Sequence, residues 1–208
     1  PSTAAGMTFS SVSEIKNKVA PVTSMLIHPS ADLDDHFSVK DAITYWWDGE
    51  GGKTGEGVIS DLESLRQAWI NQYEEYRISA SKIAKEYADR FDIVDLPTWS
   101  EVEEVIRREI VPCTRIDVIN SRPDSDERPQ FDPRADSCGV WRPPVNQSSI
   151  FISGNVMSRG LTLEGLLTTV FLRSSNIPVA DTQMQMQRWF GYRGRTLDLC
   201  RVYLTEEQ

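Results

Sequence analysis

The sequence contains few of the residues that most often bind metals or form disulfides. Its 208 residues include two histidines and three cysteines, and Cys113, Cys138 and Cys200 share no close spacing. An odd number of scattered cysteines argues against a zinc site and against a disulfide framework, and fits a reducing compartment. We therefore predict no metal site and a cytoplasmic location.

Long apolar runs are also missing. No stretch approaches the roughly 18 consecutive apolar residues that a transmembrane helix needs, and no signal peptide is apparent. The sequence therefore predicts no membrane partner. Because the first residue is Pro1 and not methionine, we expect the chain to be part of a longer protein. Its length is enough for one sizeable core, or for a core with a small subdomain.

A phosphate-binding P-loop is absent, although residues 48–55 contain the order Gly-Lys-Thr at Gly52, Lys53 and Thr54. The P-loop pattern G-x-x-x-x-G-K-[ST] needs a glycine at position 47, which is Trp47, and a β-strand leading into it. We predict a turn between helices here and no Walker A motif in this chain.

Lysine is absent from the last third of the chain. Residues 140–208 contain seven arginines and five acidic residues, a net charge of +2, whereas the whole chain carries −9. An acidic protein is a poor general coat for nucleic acid, but arginine stays charged and binds phosphate bidentately. Some of these arginines are therefore candidate phosphate ligands. The alternative is surface ion pairing, which we expect for Arg142, Arg195 and Arg201.

Short apolar segments predict five strands in one mostly parallel sheet flanked by helices, an α/β fold. The strands lie at about residues 24–28, 115–119, 149–153, 168–172 and 199–204. The third and fourth should be neighbours or nearly so, because short connections usually join adjacent strands.

Helical patterns fill the space between the first two predicted strands, and some begin with capping-box spacing, as at Ser60 and Ser100. Aromatic residues at three- and four-residue steps, such as Trp69 and Tyr73, indicate packing more than nucleic-acid stacking. We predict three parts: the start of the main lobe (1–33), a helical insertion (34–111) and the remainder of the lobe (112–208).

Two stretches near the end of the chain carry a family resemblance. Ser-Arg-Gly-Leu-Thr at 158–162 resembles motif V of superfamily 2 helicases, and residues 185–193 resemble motif VI, with Gln187 where glycine is usual. More narrowly, S-R-G-L-T-L-E-G-L followed by Q-R-W-F-G-Y-R and D-L-C-R-V-Y is similar to the Z1 domain family. That family is associated with endonucleases and helicase-like proteins of bacterial restriction and DNA repair systems.

The resemblance implies the second RecA-like lobe of a DNA-dependent ATPase. ATP and Mg²⁺ would be bound mainly by an N-terminal lobe of the same polypeptide, and DNA and other restriction-system subunits would be partners. The implied catalytic residues are Arg193, Arg188, Gln185 and Gln187. The implied nucleotide-facing residues are Ser158, Arg159, Gly160 and Thr162, and the implied DNA-facing residues are Asn120, Ser121, Gly154 and Asn155.

Three other interpretations stay open at this stage: a nuclease, a non-catalytic DNA-binding or assembly module, and arginines that serve only the fold. Pro123-Asp124 and Asp126-Glu127-Arg128 resemble a PD-(D/E)xK nuclease pattern, but the lysine is absent and both acids lie in one predicted loop. That loop, residues 122–147, is long enough to suggest either mobility or an interaction element. As a lone histidine after the first strand, His28 is more typical of a structural residue than of a catalyst.

Overall fold

The computed structural model describes residues 7–86, 96–154, 163–172 and 199–204. In chain order the elements are α1 (Val12–Lys18), β1 (Thr23–His28), α2 (Leu33–Asp48), α3 (Glu56–Ser60), α4 (Leu62–Glu86), α5 (Trp99–Val105), a π-helical segment (Ile106–Ile110), α6 (Val111–Cys113), β2 (Thr114–Ile119), β3 (Arg134–Ala135), β4 (Trp141–Arg142), β5 (Ser148–Ser153), β6 (Leu166–Phe171) and β7 (Arg201–Tyr203).

Five of the strands form one parallel sheet in the order β2-β5-β1-β6-β7. The predicted α/β fold with a mostly parallel sheet is confirmed. The third and fourth predicted strands, expected to be neighbours or nearly so, are one strand apart, because β1 lies between β5 and β6. The connection spanning residues 154–165 is about as long as a parallel crossover requires, so it can pass over an intervening strand.

Both faces of the central strands carry buried residues, and consecutive apolar residues in β1 (Met25–Ile27) and β5 (Ile150–Ile152) fit burial on both sides. On one face Ile27, Val118 and Ile152 pack against α2 through Phe37 and Ile43. The other face is built around a second cluster of buried residues: Leu26, Ile119, Phe151, Leu163, Leu166 and Phe171.

Helix α2 contacts β2 and β5 and also packs against α3. Its last turn buries Trp47 against Val58 and Val111, so the helical segment and the sheet share apolar contacts. The three-part division of the chain stays a prediction.

The glycine-rich stretch after α2 is a turn between two helices, as predicted. Asp48 Oδ1 accepts a hydrogen bond from the Gly55 N–H at 3.0 Å. Gly55 has φ +77°, and a Cβ there would lie 1.9 Å from Val111 Cγ1, so only glycine fits. Helix α2, and not a strand, leads into this turn, and the backbone at Gly55 packs against Val111.

Two helix starts were predicted at the wrong residue. Ser60 is the last residue of α3, where its hydroxyl donates to the Gly57 carbonyl at 2.7 Å, and α4 begins at Leu62. The second case is at Ser100. The capping box lies at Thr98 and Glu101, whose side chain and backbone groups bond reciprocally, and α5 begins at Trp99. The stretch from Ser100 to Glu103 fits the same [ST]-x-x-E pattern. Thr98, however, follows Pro97 and has the extended backbone that an N-cap residue needs. Trp69 packs against Tyr73 and Trp99 with ring centroids 5.3 and 6.0 Å apart.

The predicted loop at 122–147 contains a small antiparallel hairpin, β3–β4. Backbone hydrogen bonds of 2.9 Å in both directions join Trp141 to Phe9, which is buried. Phe131 packs edge-on against Phe151 in the core, with ring centroids 6.1 Å apart. The described loop is therefore fastened to the body of the protein at several points.

Candidate functional site at the carboxyl edge of the sheet

In a parallel sheet, functional groups concentrate where strands end, because the loops that leave those ends meet at one edge. The described part of this edge is formed by the residues after β1, β2, β5 and β6. It includes three of the predicted site residues, Asn120, Ser121 and Gly154. The others lie outside the described residues: Asn155, Ser158, Arg159, Gly160, Thr162, Gln185, Gln187, Arg188 and Arg193.

A fully buried histidine, His36, joins the ends of three strands. Its Nε2 lies 3.3 Å from the carbonyl oxygen of Ser30, just after β1. Its Nδ1 lies 3.4 Å from Asn120 Nδ2, just after β2. Its ring also packs against Gly154, just after β5. Helix α2 therefore positions one imidazole ring at the junction of these loops.

The partners of His36 assign a donor or acceptor role to each ring nitrogen. A carbonyl oxygen only accepts, so Nε2 carries the proton and donates to Ser30. Nδ1 then accepts from the amide of Asn120. Asn120 Oδ1 is also occupied, because it accepts the Arg122 backbone N–H at 2.8 Å. The orientation of the Asn120 amide and this arrangement of hydrogen bonds at His36 therefore agree with each other.

The predicted DNA-facing residues differ in accessibility. Asn120 is buried, and both ends of its amide bond other parts of the protein. Ser121 is exposed. Gly154 is buried, and the Ser153 hydroxyl beside it donates to the carbonyl oxygen of Ile119. The structure thus brings Asn120 and Gly154 together through His36 and leaves Ser121 at the surface.

Arg122 forms a charged clamp over this junction. Its guanidinium pairs with Asp124 at 2.9 Å and with Asp34 in the first turn of α2, and it lies 5.0 Å above the Phe37 ring. The hydrogen bonds between Arg122 and Asp124 raise the pKa of Arg122 and lower the pKa of Asp124. Since its charge is already matched by two carboxylates, Arg122 holds the loop against the helix.

The acids of the nuclease-like pattern also have structural partners. Asp126 Oδ2 accepts from the Val118 N–H at 2.6 Å and from Lys40 Nζ at 2.8 Å. The Asp126 N–H donates back to the Val118 carbonyl at 2.9 Å. Asp126 thereby covers part of the free edge of β2, and Asp124 is paired with Arg122.

The described residues on both sides of the segment that resembles motif V are anchored. At its start, Gly154 packs on His36. At its end, the Ser24 N–H donates to the Gly165 carbonyl at 2.8 Å, and the Ser24 hydroxyl donates to the Glu164 carbonyl at 2.6 Å. Gly165 has φ +63°, and a Cβ there would lie 1.9 Å from the Val22 carbonyl oxygen. These contacts fix where the segment leaves β5 and where it enters β6.

His28 is fully buried at the end of β1, and its ring lies 5.9 Å from that of Phe171.

Among the residues described, no three His, Cys, Asp or Glu side chains form a group suited to a metal ion. No helix within the same ranges has the length and apolar character to cross a membrane.

Sequence reasoning missed His36 and the Arg122 clamp. One signal for His36 was present: it precedes Ile43 and Trp47 by seven and eleven residues, which places it on the core-facing stripe of α2. The Arg122–Asp34 contact had no such signal, because Asp34 is 88 residues distant in sequence.

A model of one protein family, described as the Z1 domain, matches residues 5–208. Comparisons with curated proteins and with solved structures gave no significant match.

Proposed function

We propose that this chain, which belongs to the Z1 domain family, is the second RecA-like lobe of a DNA-dependent helicase or translocase ATPase in a bacterial restriction or DNA repair system. A separate lobe of the same polypeptide would carry the Walker motifs. This chain would contribute arginine fingers to the nucleotide and loops to the DNA.

One observation carries the proposal: both motif-bearing segments leave the same edge of one parallel sheet. The motif V segment starts at Gly154 after β5, and the segment with motif VI starts after Leu172, which follows β6. Only β1 separates β5 from β6, so their ends are two strand spacings apart, about 10 Å. Arginines from both segments could therefore reach a shared ligand at this edge.

The chemistry assigned to the arginines is electrostatic. When bound, ATP and Mg²⁺ would supply the γ-phosphoryl group and much of its charge neutralisation. Arg193, with Arg188 as second choice, would add positive charge to the γ-phosphate oxygens as the two lobes close, an effect worth roughly 10³- to 10⁵-fold in rate. Gln185 or Gln187 would orient the attacking water, and Ser158, Arg159, Gly160 and Thr162 would line the nucleotide side.

His36 gives the proposal a route between the two functions of the edge. The loop after β2, with exposed Ser121, would face the DNA backbone, and the loop after β5 leads toward Arg159. Both rest on the same imidazole, through Asn120 and Gly154. A shift of either loop would therefore displace the other through His36. Coupling of DNA movement to ATP hydrolysis requires such a connection.

The arrangement of the acids favours this proposal over a nuclease. Asp124 and Asp126 are the acids of the nuclease-like pattern, and each is held by a cation, Arg122 and Lys40. A metal-dependent nuclease needs its carboxylates directed at an ion. The test of the proposal is ATP turnover by the full-length protein with single arginine replacements.

A further inference from the structure

Five described arginines form ion pairs with described acids: Arg66, Arg107, Arg108, Arg115 and Arg122. Three further arginines of the 122–147 loop differ from them. Arg128, Arg134 and Arg142 are exposed, and no acidic side chain of the described residues lies within 4.0 Å of their guanidinium groups. The surface ion pair that the sequence predicts for Arg142 is therefore not found among these residues.

Arg134 and Arg142 are directly opposite each other in the β3–β4 hairpin. Opposed residues of antiparallel strands share one face, with Cβ atoms about 5 Å apart, and two like charges in that position destabilise the pair. The chain has 31 acidic residues against 22 basic ones, so acids to relieve this repulsion are abundant. A bound anion between the two guanidinium groups would remove the repulsion.

The hairpin presents these arginines from a fixed backbone. Phe9, which is buried, extends the small sheet through its two hydrogen bonds with Trp141. The turn is closed by Asp136, whose Oδ1 accepts the N–H groups of Cys138 and Val140 at 2.9 and 3.0 Å. That carboxylate oxygen is thus used within the turn. Pre-organised arginines lose less conformational entropy on binding than arginines on a free loop.

The hairpin is separate from the carboxyl edge. The residues before the hairpin are joined to the residues before β5. The Gln130 N–H donates to Asn146 Oδ1 at 2.9 Å, and the Asn146 N–H donates to the Gln130 carbonyl at 3.1 Å. Asn146 in turn donates to buried Asp117 at 3.0 Å. Residues 146–147 precede the amino end of β5, whereas the proposed nucleotide surface lies at the carboxyl end.

We propose that Arg134 and Arg142 form a second DNA contact, which binds the phosphate backbone without reading base sequence. Guanidinium groups bind phosphate bidentately, and two on one face suit a repeating polyanion better than a single small anion. The identity of the polyanion rests on the proposed function. The observation that no described acid pairs with Arg134 or Arg142 does not. An acidic protein surface is the competing partner.

The test is the salt dependence of binding of the full-length protein to a fluorescent DNA duplex, measured between about 50 and about 200 mM salt. Each phosphate contact makes the slope of the logarithm of the association constant against the logarithm of salt concentration more negative by about 0.9. We expect the magnitude of this slope to decrease by about 1.8 in the Arg134→Ala/Arg142→Ala variant. The Arg66→Ala/Arg107→Ala variant, which loses two exposed but ion-paired arginines, should show no such fall.

An unchanged slope in the first variant would overturn the inference, as would absence of DNA binding by the wild type. So would binding of polyglutamate that depends on Arg134 and Arg142 while DNA binding does not, since it would assign the hairpin to an acidic protein. If the alanine variant does not fold, Arg134→Gln/Arg142→Gln keeps the aliphatic stems and tests the same point. ATP turnover in Arg188 and Arg193 variants judges the proposed function separately.

Discussion

Gly154 lies so close to His36 that a methyl group on it would be 3.0 Å from Cε1 and 3.1 Å from Nε2 of the ring. This contact joins the end of β5 to the fourth residue of α2. The same ring bonds Ser30 and Asn120, so it connects the loops that follow β1, β2 and β5. The ring therefore holds the end of β5 against the loops that follow β1 and β2.

We predict that Gly154→Ala lowers the free energy of unfolding by about 1–3 kcal/mol, because the new methyl group overpacks a buried site. Urea unfolding measures this. Gly51→Ala is the matched control, since a Cβ there meets the end of the flexible Glu56 side chain at 2.9 Å. A Gly154→Ala variant at least as stable as the wild type would mean that His36 moves freely and does not fix the loop.

A second prediction concerns the edge of β2. Asp126→Ala removes the acceptor of both the Val118 N–H and Lys40, and should cost about 1.5–3 kcal/mol as a charged hydrogen bond at a partly buried site. Lys40→Ala removes only the ion pair and should cost less, about 0–1 kcal/mol. Chemical denaturation of both variants decides the order. Equal losses would show that the ion pair, and not the backbone contact, holds the loop.

The sheet could be predicted from the sequence because each strand is a compact apolar run between turn residues. Residues 149–153 illustrate this: β5 starts at Ser148, one residue earlier. Strand order was less accessible, because nothing local in the sequence of residues 154–165 specifies that β1 lies between β5 and β6. The hairpin at 134–142 was missed for a related reason, since its strands have two residues each and depend on Phe9, far away in sequence.

In the candidate site, too, some features could be predicted from the sequence and others depend on distant residues. The edge at which Asn120 and Gly154 meet follows from the general geometry of parallel sheets. The residue that joins them, His36, is 84 residues from Asn120, and a histidine on an apolar helix face gives no information about its partner. Ion pairs such as Arg122 with Asp34 depend on the completed fold in the same way.

The Arg122–Asp124 pair predicts a dependence of stability on pH. Hydrogen bonding to Arg122 lowers the pKa of Asp124 from its ordinary value of 3.8, so the unfolded chain takes up the proton more readily than the folded one. The stabilisation is therefore present above pH 3.8 and lost as the pH falls through the lowered pKa. The stability difference between wild type and Asp124→Asn should shrink over that range. A difference that stays constant into strong acid would contradict this assignment.

The isolated chain should not hydrolyse ATP, with or without DNA. It has no Walker A motif, and its glycine-rich turn at 49–55 links two helices through Asp48 and Gly55. A phosphate-release assay on a preparation free of contaminating ATPases measures this. Sustained turnover by the fragment would show that it holds a complete nucleotide site, and the two-lobe account would be wrong.

The most direct test of the central proposal is ATP turnover by the full-length protein with Arg193→Ala, measured together with nucleotide affinity. We expect turnover to fall by roughly 10³-fold or more with affinity nearly unchanged, because a finger acts on the transition state. Arg188→Ala should show a loss of the same kind, and Arg195→Ala, two residues from Arg193, should behave as the wild type. Normal turnover in both Arg188→Ala and Arg193→Ala would contradict the assignment of these arginines to ATP.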